Sequence, residues 1–321
     1  MRKVLTIGRY FKSIYKERVR KVPISLIGFT CPNIDGSVAK GGCIYCKNES
    51  FSPNLVRYND LKNAPLSMNF KIQENPLLSK QLAQIKEQFY DYANKYQEKY
   101  KVRKFLIYFQ SYTNTYAPLS TLKALYEKAL SFEGVVGLSI GTRTDCIQKE
   151  LLDYLEQLAK NKEIWLEFGV QSVFDETLKR TNRGHLSGGI KELFEEVRKR
   201  GIKVCAHLIY GLPKENEEMM LHSLKSVLEW GIDGIKIHPL YVVKDTALEI
   251  MHQRGHYTPI SLETYAKLIA KSLKIIPPEV VVQRVSAGIC DETLIAPKWC
   301  LDKNVQMRYL RDCLREVKIQ Y

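Results

Sequence analysis

Apolar residues along this chain gather in short runs separated by longer stretches with helical spacing. Residues 22–29, 105–109, 135–140, 164–170, 204–210 and 234–241 form such runs and read as strands. Between them, residues 77–100, 119–131, 149–160, 189–200 and 215–230 read as helices, with Gly201 and Gly231 as stop signals after the last two. Strand and helix alternate, so the pattern predicts βα units around a parallel sheet. Six units are too few for the closed eight-stranded barrel. Beyond residue 252 the pattern gives a helix over 261–275, Pro277-Pro278, a strand over 280–285 and a terminal basic helix. The expected division is a basic and aromatic segment (1–22), an α/β core (23–250) and an α/β extension (251–321) closing the open side of the barrel.

The chemistry-bearing stretch follows the first run directly. Cys31, Cys43 and Cys46 form a C-x11-C-x2-C array, with Gly41 and Gly42 before the close pair and Tyr45 before the last cysteine. Three thiolates on one glycine-rich loop can hold three irons of a [4Fe–4S] cluster and leave the fourth iron open to a ligand. A zinc site would usually show a second C-x-x-C pair or a Cys/His pair, and none lies nearby. A disulfide would leave one cysteine over and need an oxidising compartment. The other five, Cys146, Cys205, Cys290, Cys300 and Cys313, lack ligand spacing. The last three could hold a second cluster, but isolated cysteines more often behave as small buried apolar groups.

The loop resembles the cluster loop of radical S-adenosylmethionine (SAM) enzymes. The long first spacing, Cys31-Pro32-Asn33, Asp35-Gly36 and Gly41-Gly42-Cys43-Ile44-Tyr45-Cys46 are similar to the YhcC/YtqA group, related to the Elongator catalytic subunit. The resemblance implies an open (β/α)6 partial barrel. It also implies a [4Fe–4S] cluster on the three cysteines, SAM on the open iron and a 5′-deoxyadenosyl radical, with Tyr45 packing on the adenine. The Gly-Gly-Glu stretch that many such enzymes carry after the second strand is absent here.

Catalytic groups on such sheets collect at the carboxyl ends of the strands, and odd polar residues fall there. Gln110 and Ser111 follow the second strand and are candidates for the SAM amino group, although a turn-forming polar run would look the same. Arg143 follows the third, where it could meet the SAM carboxylate or pair with Asp145 or Glu167. Glu167 interrupts an apolar strand, and a buried lone carboxylate demands a partner. The resemblance places Glu167 and Gln171 near the SAM amino and ribose groups, and Gly211 near the adenine. Arg183, in Thr181-Asn182-Arg183-Gly184-His185, could pair with the SAM carboxylate or a substrate anion. His207 reads more readily as a core histidine than as a base. Lys236 and His238 alternate on one strand face and, with Tyr241, are the candidate catalytic residues. Lys236 and His238 could receive a substrate carboxylate, or just balance Glu167.

Lys and Arg exceed Asp and Glu by 14 among 321 residues, which favours a polyanionic partner. The aromatic and basic residues of 1–22 could contact RNA or pack a helix against the barrel. No signal peptide or membrane-spanning run is visible, so a cytoplasmic enzyme is expected. The resemblance points to tRNA as partner and to an electron donor such as flavodoxin or ferredoxin. The specific reaction it suggests is conversion of a carboxymethylaminomethyl group on wobble uridine to aminomethyl. The rivals are a radical SAM enzyme acting on a phosphorylated or carboxylated metabolite, and a non-catalytic iron–sulfur sensor or RNA-binding protein.

Overall fold

The computed structural model describes residues 1–51, 54 and 68–321. Its centre is one sheet of parallel strands in the order β1 (Val19–Ile24), β2 (Lys104–Phe109), β3 (Val135–Thr142), β4 (Glu163–Gln171), β5 (Lys203–Tyr210), β6 (Gly234–Pro239) and β7 (Val281–Arg284). Helix α1 (Ile7–Tyr15) precedes the sheet. The crossovers carry α2 (Leu78–Tyr100), α3 (Leu119–Leu130), α4 (Lys149–Ala159), α5 (Ile190–Lys199), α6 (Glu217–Glu229) and α7 (Leu262–Ile275), and α8 (Lys303–Glu316) follows β7. Sequential parallel pairing throughout curls the sheet into a half-barrel. Lys21 on β1 donates to Gln283 on β7 at 2.6 Å, so the two edge strands face each other across the interior.

The helix ends follow their sequence signals. Asn216 caps α6 by accepting from the Met219 amide at 2.9 Å, and Ser261 caps α7 by accepting from Thr264 at 3.1 Å. Gly201 and Gly231 sit at φ of 73° and 80°, the left-handed turn that ends a helix without a Cβ clash.

Three expectations shift. The first strand ends at Ile24 instead of running from Val22 to Phe29, although Leu26, Ile27 and Phe29 are buried. Side chains on one face of α2 take over the hydrogen bonding beyond Ile24. Gln88 exchanges bonds with both backbone groups of Ser25, at 2.9 Å each, and Gln84 accepts from the Ile27 amide at 3.1 Å. Gln81 donates to the Ile27 carbonyl at 2.7 Å. Burial without a neighbouring strand therefore looks like strand in an apolar pattern. The sixth strand ends at Pro239, because proline brings no N–H to a ladder. The extension adds β7 to the sheet itself, parallel to β6, so the half-barrel has seven strands where the pattern gave six units.

Helix α1 lies at the amino ends of the strands, opposite the cysteine loop. Phe11 is buried with Val19, Leu106, Trp165, Cys205 and Val281, and the Tyr10 ring meets Trp165 edge-on at 5.7 Å. Tyr10 also donates to Glu163 at 2.5 Å. Of the two readings of the N-terminal aromatics, packing is what these residues do. The termini are joined by a parallel pair, Arg2–Lys3 with Ile319–Gln320. No helix among the described residues is long and apolar enough to cross a membrane.

Candidate functional site

The loop after β1 is wound by tight local bonds. The Cys31 carbonyl accepts from Ile34 and Asp35, at 2.7 and 3.1 Å, and the Cys46 amide turns back to Cys43 at 2.9 Å. Gly41 and Gly42 take φ of 82° and 74°, which non-glycine residues adopt only with strain. A second segment, Thr181 to Gly184, clamps this loop from beneath. Thr181 accepts from the Ile44 amide at 3.1 Å, and Asn182 donates to the Gly42 carbonyl at 2.7 Å. Asn33 is fully buried and donates to the Asn182 carbonyl.

Each cysteine sulfur faces an N–H donor. Arg143 stands 3.6 Å from Cys31, Arg183 3.9 Å and Asn33 3.7 Å from Cys43, and Asn48 3.5 Å from Cys46. Such donors suit the sulfurs of a negatively charged cluster and tune its potential. The three sulfurs do not converge within 4.8 Å of one another, as ligands of a single zinc ion would. Among the described residues only Glu167, Cys205 and His207 group that closely. Two lysines already occupy that carboxylate and burial pushes the Cys205 thiol up, so a cation has no place there.

The cysteines open onto a cavity of about 280 Å³ at the carboxyl ends of the strands. Its wall carries buried polar atoms with no partner among the described residues, Gln171 Oε1 and Arg183 Nε. Orphaned buried atoms are costly and mark a place where a polar ligand completes the bonding. Ser111, Tyr112 and Gln171 also line it in left-handed backbone, at φ of 73°, 58° and 70°. Strained residues of this kind persist where the surroundings fix them, commonly at binding sites. A cysteine loop with matched donors and an adjoining polar cavity with unfilled bonds fit a [4Fe–4S] cluster and SAM.

At the cavity floor lies a polar network around Glu167. Its Oε1 accepts from Lys21 and from Ser139 at 2.5 Å, and its Oε2 accepts from Lys236 and faces His207 Nε2 at 2.9 Å. Burial alone would raise this carboxyl's pKa, but Lys21 and Lys236, with His207, hold it well below the usual range. Burial lowers the pKa of both lysines despite that carboxylate. The Tyr108 ring lies 4.8 Å from the Lys21 ammonium and 4.2 Å from that of Lys236. Burial and the Lys236 charge push His207 down to about 4, and burial with the Arg284 charge takes His238 to about 3, so both rings are neutral at pH 7.

Most sequence-selected residues meet at this one cavity: Tyr45, Gln110, Ser111, Arg143, Glu167, Gln171, Arg183, His238 and Tyr241 all line it with the three cysteines. Lys236 lies behind the wall, engaged with Glu167. His238 and Tyr241 stack at 5.8 Å with planes 17° apart. Gly211 is elsewhere, beside Leu212, Glu215 and Tyr257, and a Cβ there would meet Ile260 at 3.2 Å. Its φ of 89° serves the turn after β5, and its carbonyl accepts from Tyr257 at 2.8 Å. Cys290, Cys300 and Cys313 differ in burial, from exposed to buried, and Cys300 packs with Tyr241, Val243, Ile289 and Leu294. Sequence reasoning missed Asn33, Asn48, Lys21 and Arg284. Arg284 carries a legible signal, a cation inside an apolar strand, but it fell in the stretch read as an extension.

The radical SAM superfamily profile matches residues 36–227, and the radical SAM C-terminal domain matches residues 232–316. The chain belongs to the radical SAM superfamily, whose enzymes use a [4Fe–4S] cluster and SAM. Within it, the chain is 36% identical to protein YhcC of Escherichia coli over 307 residues, covering 95% of this chain and 90% of that one. It is 35% identical to YtqA of Bacillus subtilis over 301 residues, covering 93% and 85%. Elongator complex protein 3 of Saccharomyces cerevisiae is 32% identical over 171 residues, which is 52% of this chain and 30% of that protein. Among solved structures, the N-terminally deleted Elp3 of Methanocaldococcus infernus aligns with a TM-score of 0.57 at 17% identity, covering 94% of this chain and 64% of that one. Coproporphyrinogen III oxidase (HemN) of Escherichia coli gives 0.51 at 18% identity, covering 83% and 55%. These two likenesses show the shared fold.

Proposed function

We propose that this radical SAM enzyme remodels the C5 side chain of the wobble uridine in tRNA, converting carboxymethylaminomethyl to aminomethyl: a hydrogen atom and an electron leave the carboxymethyl carbon, water adds there, and the C–N bond breaks to release the two-carbon fragment as glyoxylate. Cys31, Cys43 and Cys46 hold the cluster, with Arg143, Arg183, Asn33 and Asn48 as donors to its sulfurs. Gln171 and Arg183 offer their unfilled polar atoms to SAM, and Gln110, Ser111 and Tyr45 complete its surroundings. When bound, cluster and cofactor supply a 5′-deoxyadenosyl radical that removes a hydrogen atom from substrate. His238 and Tyr241 line the substrate side, and the Glu167 network keeps the floor rigid and dry beneath them. A flavodoxin or ferredoxin in the cytoplasm serves as the reductant that radical SAM enzymes need.

The observation that carries the tRNA reading is the 32% identity to Elongator complex protein 3 across half of this chain, taken with the Elongator-like wobble-uridine chemistry that the cluster loop's resemblance implies. The net charge of +14 supports it, as does the basic row Arg308, Arg311, Arg315 and Lys318 at the end of the chain. Nucleoside mass spectrometry of total tRNA from cells with and without the gene tests it. Loss of one hypermodified uridine, with the carboxymethylaminomethyl precursor accumulating, is the expected result. An unchanged profile would sink the tRNA substrate and leave the radical chemistry standing.

A further inference from the structure

Among the described residues the Arg284 side chain makes no hydrogen bond or ion pair, yet it is half-buried in the cavity wall. Its position is the product of a bulge. On β7, Val281 pairs with Gly234 and Val282 with Ile235, but Lys236 pairs with Arg284, so Gln283 is an extra residue. Regular alternation from the inward Val281 would turn Gln283 inward and Arg284 outward. With the bulge, Gln283 still reaches Lys21, and Arg284 also lines the cavity. Bulges of this kind re-aim a side chain beside a binding site.

The surroundings leave that guanidinium uncompensated. Among the described residues three cations, Lys21, Lys236 and Arg284, share one carboxylate in the barrel interior, Glu167, and the two lysines already hold both of its oxygens. The groups within electrostatic reach of Arg284 include Tyr108, Cys205, His207, Lys236, His238 and Tyr241 and, from α8, Lys303, none of them acidic. The other two cavity arginines are committed at the cysteine end, Arg143 to Asp145 and Arg183 to the Gly169 carbonyl.

We propose that Arg284 is the specificity anchor of the substrate, taking a carboxylate group in a fork-to-fork pair within the part of the cavity walled by His238 and Tyr241. A guanidinium matches a carboxylate with two parallel N–H donors, and desolvation strengthens the pair. Among the described residues Arg284 is the one cavity-lining cation whose side chain has neither an acidic nor a carbonyl partner, and its planar fork matches a planar carboxylate; phosphate is the competing anion that the test must separate. The choice of the carboxymethylaminomethyl arm as the source of that carboxylate rests on the proposed function; the anion subsite does not.

The test is calorimetric binding to the iron-reconstituted enzyme with SAM bound, using N-benzylglycine as a ring bearing the carboxymethylaminomethyl arm. N-methylbenzylamine is the same probe without the carboxylate, and inorganic phosphate tests the other anion. The expected result is N-benzylglycine binding roughly tenfold or more tighter than the amine. Arg284→Gln should abolish that difference, Arg284→Lys should retain part of it, and phosphate should not displace the probe. Iron content and melting temperature of both variants show whether each is folded, and the Lys variant carries the test if the Gln variant is not. An equal preference in Arg284→Gln and wild type overturns the proposal, as does no preference in wild type, or displacement by phosphate as strong as by the carboxylate. A carboxylate preference beside an unchanged tRNA profile removes the tRNA reading alone. Conversion of tRNA at the wild-type rate and KM by Arg284→Gln removes the anchor alone.

Discussion

Arg143 and Asp145 form a two-pronged pair, with Nε and Nη2 donating to the two carboxylate oxygens at 2.7 Å each. The remaining nitrogen, Nη1, donates to the Arg183 carbonyl at 2.9 Å and stands 3.6 Å from the Cys31 sulfur. The guanidinium is thereby held as a brace between the cysteine loop and the segment that clamps it. Burial alone would raise the Asp145 carboxyl's pKa, but Arg143 lowers it.

Asp145→Ala strands a guanidinium side chain that is only 3% exposed. Removing one partner of a buried pair is expected to destabilise the protein by about 3 kcal/mol. Urea denaturation should show a lowered midpoint in the iron-free protein. The iron-loaded protein should also lose iron faster, because the brace behind Cys31 is loosened. An unchanged midpoint would show that the pair is solvated and contributes little.

Replacing Cys31, Cys43 or Cys46 singly with serine should remove the cluster. Iron and sulfide content after anaerobic reconstitution should fall from four of each per chain to near zero, with loss of the broad visible absorption. Cys300→Ser should keep the iron, because Cys300 packs among Val243, Ile289 and Leu294. Full iron content in any of the three loop variants would remove that cysteine from the ligand set.

Much of this was readable from the sequence because each signal was local. The runs that became β2 to β6 are dense enough in apolar residues to stand out, and the cysteine spacing needs no partner elsewhere. What stayed hidden was long-range. Nothing near Ser25 shows that Gln81, Gln84 and Gln88 replace a strand there, since those glutamines lie more than fifty positions away. Lys21 looked like one more base in a basic segment, and only the curl of the sheet brings it to Glu167. The inward turn of Arg284 depends on a single extra residue in the β6–β7 register, which no periodicity could reveal.

The clamp beneath the cysteine loop makes Gly184 a sensitive position. A Cβ there would stand 2.1 Å from Asn33 Oδ1, in backbone at φ of 77° that side chains rarely adopt. Gly184→Ala must push Asn33 away, and with it the donor facing Cys43. Overall stability should drop by about 1–3 kcal/mol, and the iron-loaded protein should show a shifted cluster reduction potential. A variant with wild-type potential and stability would mean that the loop adjusts without moving Asn33.

The buried imidazoles predict how stability depends on pH. His207 is held at about 4 in the folded protein, against 6.5 for an ordinary histidine. Between those values the unfolded chain binds a proton that the folded one refuses, so stability falls as the pH drops from about 6.5 towards 4. Glu167 acts in the same sense, because its lowered pKa gives stability above 4.5 that is lost as the pH falls further. For His207 alone the slope is about 1.4 kcal/mol per pH unit, or roughly 3 kcal/mol across the window. Urea titrations of the iron-free protein at pH 4.5, 5.5, 6.5 and 7.5 measure it, and His207→Gln should flatten the slope by about one proton while keeping a donor for Glu167. An unaltered slope in that variant would show that His207 accepts its proton without unfolding, which the two buried ammonium groups beside Glu167 make unfavourable.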